Sequence, residues 1–176
     1  MGWFTALVAA VALERLAELV VARRNARWAQ ARGAVESGAG HYPVMVVLHT
    51  GLLAGALLEG WLADRPFLPA LGWSMFALVL AGQALRWWCI RTLGPQWNTR
   101  ILVVPGLPRV RRGPYRVLPH PNYVAVVVEG AALPLVHTAW ITAVVFTVLN
   151  AVLLRTRIRA ENAALRALDT TPVAVP

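Results

Sequence analysis

The chain has 176 residues, 58% of them hydrophobic, and a mean hydropathy of +0.57, which excludes a soluble single domain and points to a polytopic membrane protein. Its net charge of +9 comes from 17 arginines and no lysine, gathered at 23, 24, 27 and 32, at 91–116 and at 155–166. Basic residues that flank apolar segments engage anionic membrane lipids and fix topology, so nucleic acid is not the expected partner.

Five spans are predicted, near 3–23, 43–62, 70–91, 121–137 and 139–155, each close to the roughly 20 residues that a bilayer core requires. The first has no basic n-region and meets charged residues before any small-residue cleavage site, so it reads as a retained helix and not as a signal peptide. It sets Glu14, Glu18 and Asn25 on one stripe, with Arg15 adjacent. The third sets Gln83, Arg86, Trp87 and Ile90 on another. Ionisable groups at this depth cost about 2.5–3.5 kcal/mol each and should face the bundle interior. They either join helices, as in a pair between Glu14 or Glu18 and Arg86, or meet a substrate directly. Trp87, Trp88 and Trp97 are either interface anchors or cavity walls, and anchoring is favoured for Trp88.

The single cysteine, Cys89, excludes an intramolecular disulfide, fits no metal site and reads as a packed small residue. Between the third and fourth spans, Pro119 and Pro121 hold the chain extended around His120. Asn122 and Tyr123 then begin the fourth helix, Asn122 as its cap, and Glu129 follows seven residues on along the same side. Pro134 and a short turn join the fourth and fifth spans as a helical hairpin. Beyond it, Arg157 and Glu161 stand one turn apart, and Ile158, Leu165 and Leu168 mark an amphipathic surface helix. The expected architecture is an all-α integral membrane protein with a cytoplasmic amphipathic C-terminal helix. One membrane-embedded domain covers 1–168, and 169–176 form a disordered tail. Placing the arginine clusters in the cytoplasm leaves only Arg65 in an outer loop, and gives an outside N-terminus and an inside C-terminus in a bacterial plasma membrane.

Gly113-Pro114-Tyr115-Arg116, His120-Pro121-Asn122-Tyr123, Glu129, Pro134 and the segment from Arg157-Ile158 to Glu161-Asn162 resemble the isoprenylcysteine carboxyl methyltransferase family. Upstream, Glu14-Arg15, Glu18-Leu19, Arg24-Asn25, Trp28-Ala29, Gly33, Glu36 and His41-Tyr42-Pro43 resemble a bacterial branch associated with type III polyketide synthases, whose members methylate alkylpyrones or alkylresorcinols. The resemblance implies a membrane enzyme that uses S-adenosylmethionine, with His120, Tyr123 and Glu161 as cofactor contacts and Tyr115 and Asn122 beside them. Backbone amides at the start of the fourth helix would receive the cofactor carboxylate. Two departures stand out. Pro119 occupies the position where the family usually has arginine, and the chain stops soon after Arg166, short of the tyrosine- and arginine-rich segment that follows in eukaryotic-type members.

Methyl transfer from a sulfonium is an in-line displacement that needs positioning and the exclusion of water. A carboxylate or enolic hydroxypyrone arrives ionised, whereas a resorcinol phenol near pKa 10 needs a base. Arginines abound and bases are few, so an acidic oxygen on a lipophilic small-molecule substrate is the expected acceptor. Arg157 or Arg86 would orient the anion, with Glu129 or His120 available if a proton must move. The competing readings are an NADPH-dependent sterol-type reductase, a phospholipid methyltransferase and a non-catalytic scaffold.

Overall fold

The computed structural model describes residues 1–170. Among them are five α-helices: α1 (Gly2–Gln30), α2 (His41–Leu62), α3 (Pro69–Leu93), α4 (Pro121–Leu135) and α5 (Trp140–Thr170). Each predicted span falls within one helix, apart from the last residues of the fourth and the first residue of the fifth. By length and composition, α2 and α5 are apolar enough to cross a membrane. The surface agrees with a lipid environment. Leu13, Val20, Val47, Leu62, Ile141 and Val152 are each more than 60% exposed, an outward apolar band that water would not tolerate.

Packing inside the bundle uses small residues. On α2 only Leu52, Ala56 and Gly60 are buried, one turn apart along a single stripe, and Gly60 lies under Met1 and Phe4 of α1. On α4, Gly130 receives the ring of Phe146 from α5, and a Cβ there would lie 1.9 Å from that ring. Phe4, Val8, Val11, Ala56, Val79, Leu133 and Val136 pack together at the end of the bundle where α1 begins. Toward the other end a cavity opens, lined by residues of both α1 and α2.

The hairpin between α4 and α5 is present. Pro134 lies inside the last turn of α4, which ends at Leu135, Thr138 turns the chain at φ +51°, and its hydroxyl donates to Pro66 O at 2.7 Å. One expectation needs correction. The amphipathic segment after Arg155 is not a separate helix: α5 runs unbroken to Thr170, because neither glycine nor proline interrupts residues 140–170. Of the tail expected at 169–176, Asp169 and Thr170 are helical and the rest lies outside the described residues. The all-α bundle carries one small addition. β1 (Val35–Ser37) and β2 (Ile101–Val103) pair antiparallel, with Glu36 opposite Leu102. This ribbon clips together the α1–α2 and α3–α4 loops, and Arg100 reinforces it through Glu36 at 3.1 Å and the ring of Tyr42 at 4.6 Å.

Candidate active site

Two proline-containing turns help to build one wall of the cavity. Gly94–Gln96 and Gly113–Arg116 are 3-10 turns, and the chain between them folds over the cavity. Asn25 fixes the first turn to α1 by donating to Gly94 O at 3.1 Å and Trp97 O at 2.8 Å, and Asn98 returns a bond to Ala22 O at 3.0 Å. Trp97 is thereby 2% exposed and forms cavity wall. Trp88, at 55% exposure, stands on the outer surface as expected of an anchor, while Trp87 donates to Glu14. Cys89 is fully buried, and burial raises the pKa of the Tyr115 hydroxyl.

At the start of α4 the N-cap is His120, with Pro121 in the first turn and no side-chain capping bond. The expectation that Asn122 caps this helix is therefore corrected: Pro121 takes a first-turn place that needs no donor, and Asn122 falls inside the helix. Its Oδ1 is buried without a protein partner and its side chain lines the cavity. His120, Tyr123 and Glu161 do meet. The Tyr123 hydroxyl donates to Glu161 Oε2 at 2.6 Å, His120 Nδ1 lies 3.6 Å from the same oxygen, and the two rings stack at 5.4 Å. His120 Nε2 is 3.2 Å from Asn162 Oδ1. The Glu161 carboxylate holds the His120 pKa above its ordinary value against the opposing effect of burial. Arg157, one turn before Glu161, is 5% exposed. Its Nη2 donates to Thr99 O at 2.8 Å, and its Nε has no protein partner.

A second polar layer lies deeper. Arg86 Nη2 donates to Glu129 Oε2 at 3.0 Å, and Arg15 Nη2 reaches the same oxygen at 3.2 Å. Arg15 also bonds Glu18 at 2.7 Å and Gln83 at 2.6 Å, Gln83 donates to Glu14, and Arg86 Nε stands 3.6 Å from Glu18. The two predicted stripes on α1 and α3 thus face each other, and α4 adds a third carboxylate. Arg15, Glu18 and Arg86 line the cavity, whereas Glu129 stands behind them. An acid shared between two guanidiniums balances buried charge.

Both layers face one cavity of about 880 Å³. Leu16 and Val46 line it and are also 59% and 43% exposed, so it is open sideways between α1 and α2. Its wall includes two residues that the sequence analysis passed over, His49 of α2 and Asn150 of α5. The rule that flagged Glu129, a polar group inside an apolar span, applies equally to them. Among the described residues no cluster of His, Cys, Asp and Glu is arranged to hold a metal ion.

The fit to S-adenosylmethionine can be tested on atoms that lack partners. Asn122 Oδ1, Trp97 Nε1 and Arg157 Nε are buried without protein partners in residues that line the cavity, one acceptor and two donors of the kind that an amino-acid and a nucleoside moiety take up. The residues fit the group.

Comparison with known proteins agrees with the geometry. The chain is 40% identical over 164 residues to the uncharacterized protein YpbQ of Bacillus subtilis (strain 168), covering 93% of this chain and 96% of that protein. The description "Isoprenylcysteine carboxyl methyltransferase (ICMT) family" fits residues 75–167, the stretch that contains Arg86, His120, Tyr123, Glu129, Arg157 and Glu161. A membrane bundle with a polar cavity at one end and the matching stretch of sequence lead to one conclusion: this chain belongs to the isoprenylcysteine carboxyl methyltransferase family.

Proposed function

We propose that this protein transfers the methyl group of S-adenosylmethionine to an oxygen of a lipophilic acceptor at the cytoplasmic face of a bacterial plasma membrane. Five spans, an outside N-terminus and an inside C-terminus would put the His120, Tyr123 and Glu161 cluster at that face, in keeping with the arginine distribution. The observation that carries the reading is the cavity itself, polar at its inner mouth and open sideways between Leu16 and Val46. A water-soluble cofactor and a lipid-soluble acceptor each enter from their own phase.

When bound, the cofactor supplies an electrophilic methyl carbon on a cationic sulfur. Glu161 supplies negative charge toward that cation, and His120 and Tyr123 hold the Glu161 carboxylate in one orientation. Asn122 and Tyr115 complete the binding wall. Arg157 is the cation best placed to orient an acceptor oxygen, since one face of its guanidinium is unspent. Arg86 is a positioning residue, tied to Glu129 and Glu18. The roof formed by the α3–α4 loop excludes water from the reacting atoms. An acceptor of the alkylpyrone or alkylresorcinol class, with a polar ring and an apolar chain, suits a cavity lined by both polar and apolar residues.

Calorimetry on the purified protein should show binding of S-adenosylhomocysteine and none of NADP, and Glu161→Gln should weaken that binding at least tenfold. Binding of NADP in preference would overturn the methyltransferase reading.

A further inference from the structure

One face of α5 carries Asn150, Leu153, Leu154 and Arg157, all of which line the cavity. Residues three, four and seven apart stack on a single helical face, so this wall reads polar, apolar, polar over two turns, about 10 Å. Arg157 stands at one end of the stripe, and its Nε has no protein partner. Asn150 stands at the other. It is 2% exposed, sits in the apolar run Val148-Leu149-Asn150-Ala151-Val152, and its Oδ1 has no protein partner either. His49 lines the same cavity from α2. Its ring packs edge-on against Phe146, one turn before Asn150, with centroids 5.4 Å apart. His49 Nδ1 is 2.8 Å from Met45 O. A carbonyl oxygen only accepts, so Nδ1 carries the proton, and in the neutral ring Nε2 is a second acceptor at this end of the cavity.

We infer that Asn150 is the far end of the acceptor site, where its Oδ1 receives a hydroxyl carried on the acceptor's hydrocarbon chain about 10 Å from the oxygen that Arg157 orients. The inference rests on the proposed methyl transfer and adds to it a second polar group that takes no part in the reaction. Chemistry stays beside Arg157 and Glu161. Asn150 measures the acceptor instead, and selects chains that are hydroxylated at the right distance from the reacting end.

The surroundings select this chemistry. Leu153 and Leu154 are 8% exposed each and line the cavity between the two polar ends, a surface that suits methylenes. A plain chain laid along the stripe would leave Asn150 Oδ1 stripped of water and without a donor, whereas a hydroxyl satisfies it. A charged group has no match there: Asn150 is neutral, and Arg15 and Arg86 are already bound to Glu18 and Glu129. The substituents of one aromatic or pyrone ring lie within about 5 Å of each other, too close to reach both Arg157 and Asn150, so the hydroxyl belongs on the chain. With C–C bonds of about 1.5 Å, an extended chain covers the interval in about eight or nine bonds.

Two isomeric lipids separate the spacing from mere polarity: 10-hydroxyoctadecanoate sets a carboxylate and a hydroxyl at about this interval, and 2-hydroxyoctadecanoate sets them side by side. Each would be titrated by calorimetry, in detergent and without cofactor, into wild type, Asn150→Leu and Asn150→Ser. Wild type should bind the mid-chain isomer about tenfold more tightly than the other. Asn150→Leu should bind the two alike, and Asn150→Ser, whose shorter side chain withdraws the polar group from the cavity, should lose most of the preference. Equal affinity of the wild type for the two isomers, binding of neither, or a preference that survives in both variants overturns the inference, and a buried water is then what Asn150 holds. S-adenosylhomocysteine affinity should be the same in all three proteins. A wild type that binds S-adenosylhomocysteine but does not distinguish the isomers loses the inference and keeps the methyltransferase reading, whereas a wild type that does not bind S-adenosylhomocysteine loses that reading itself. If Asn150→Leu fails to bind S-adenosylhomocysteine, Asn150→Ser decides by the same criteria.

Discussion

Glu59, near the end of α2, accepts hydrogen bonds from the backbone amide of Thr142 at 2.8 Å and from its hydroxyl at 2.9 Å. The α5 helix is thus capped by a residue from another helix. The same carboxylate receives Ile141 N at 3.1 Å and pairs with Arg65 at 2.8 Å, so it meets the positive end of the α5 dipole and a cation at once. Glu59→Ala should cost about 1–2 kcal/mol. Its Tm by thermal unfolding should fall, while affinity for S-adenosylhomocysteine at the opposite end of the bundle should hold.

Glu129→Ala should be far more damaging. It would leave Arg15 and Arg86 facing each other without the oxygen they share, and breaking a buried ion pair in this way costs about 3–5 kcal/mol. Denaturant unfolding of Glu129→Ala and of Glu129→Ala/Arg86→Met would measure the coupling. Partial recovery in the double variant is expected; equal loss in both would mean that Glu129 acts otherwise than as their counter-charge.

The pairing of His120 with Glu161 has a pH signature. The folded pKa of His120 is raised, so the stabilisation it gives is fully present below the unfolded value of about 6.5 and is lost as pH rises through the folded value. NMR titration of the His120 ring without cofactor should show this raised pKa, and Glu161→Gln should bring it down. An unchanged His120 pKa in Glu161→Gln would separate the two residues.

Gly130→Ala tests the contact between α4 and α5. The new methyl would meet the Phe146 ring, an overpacking that costs typically about 1–3 kcal/mol. Gly130→Ala/Phe146→Leu should recover part of that loss in thermal unfolding.

The helices were legible because apolar runs, prolines and arginines mark their limits. The cluster of His120, Tyr123 and Glu161 was legible as well, though only the structure places the hydroxyl of Tyr123 on the carboxylate. The inward faces of α1 and α3 followed from the spacing of Glu14, Glu18, Gln83 and Arg86, since charge inside a bilayer has few places to go. The ribbon of β1 and β2 was hidden: three residues carry too short an alternation to read, and its partners are separated by the whole of α2 and α3. His49 and Asn150 escaped because attention to full charges passed over neutral polar side chains in apolar runs. The separate surface helix was misread because the arginines at 155, 157 and 159 interrupt an apolar run without interrupting the helix that carries it.

That continuity makes α5 a gauge. Asn150 and Glu161 are eleven residues apart on one uninterrupted helix, which fixes their axial separation at about 16 Å. A single residue inserted between Leu154 and Arg157 would lengthen this interval by only about 1.5 Å, yet would swing everything beyond it through about 100°. Arg157 and Glu161 would then leave the wall that Asn150 still occupies. The number of residues between the two ends of the cavity, and not only their identity, therefore decides which side chains of α5 share its wall.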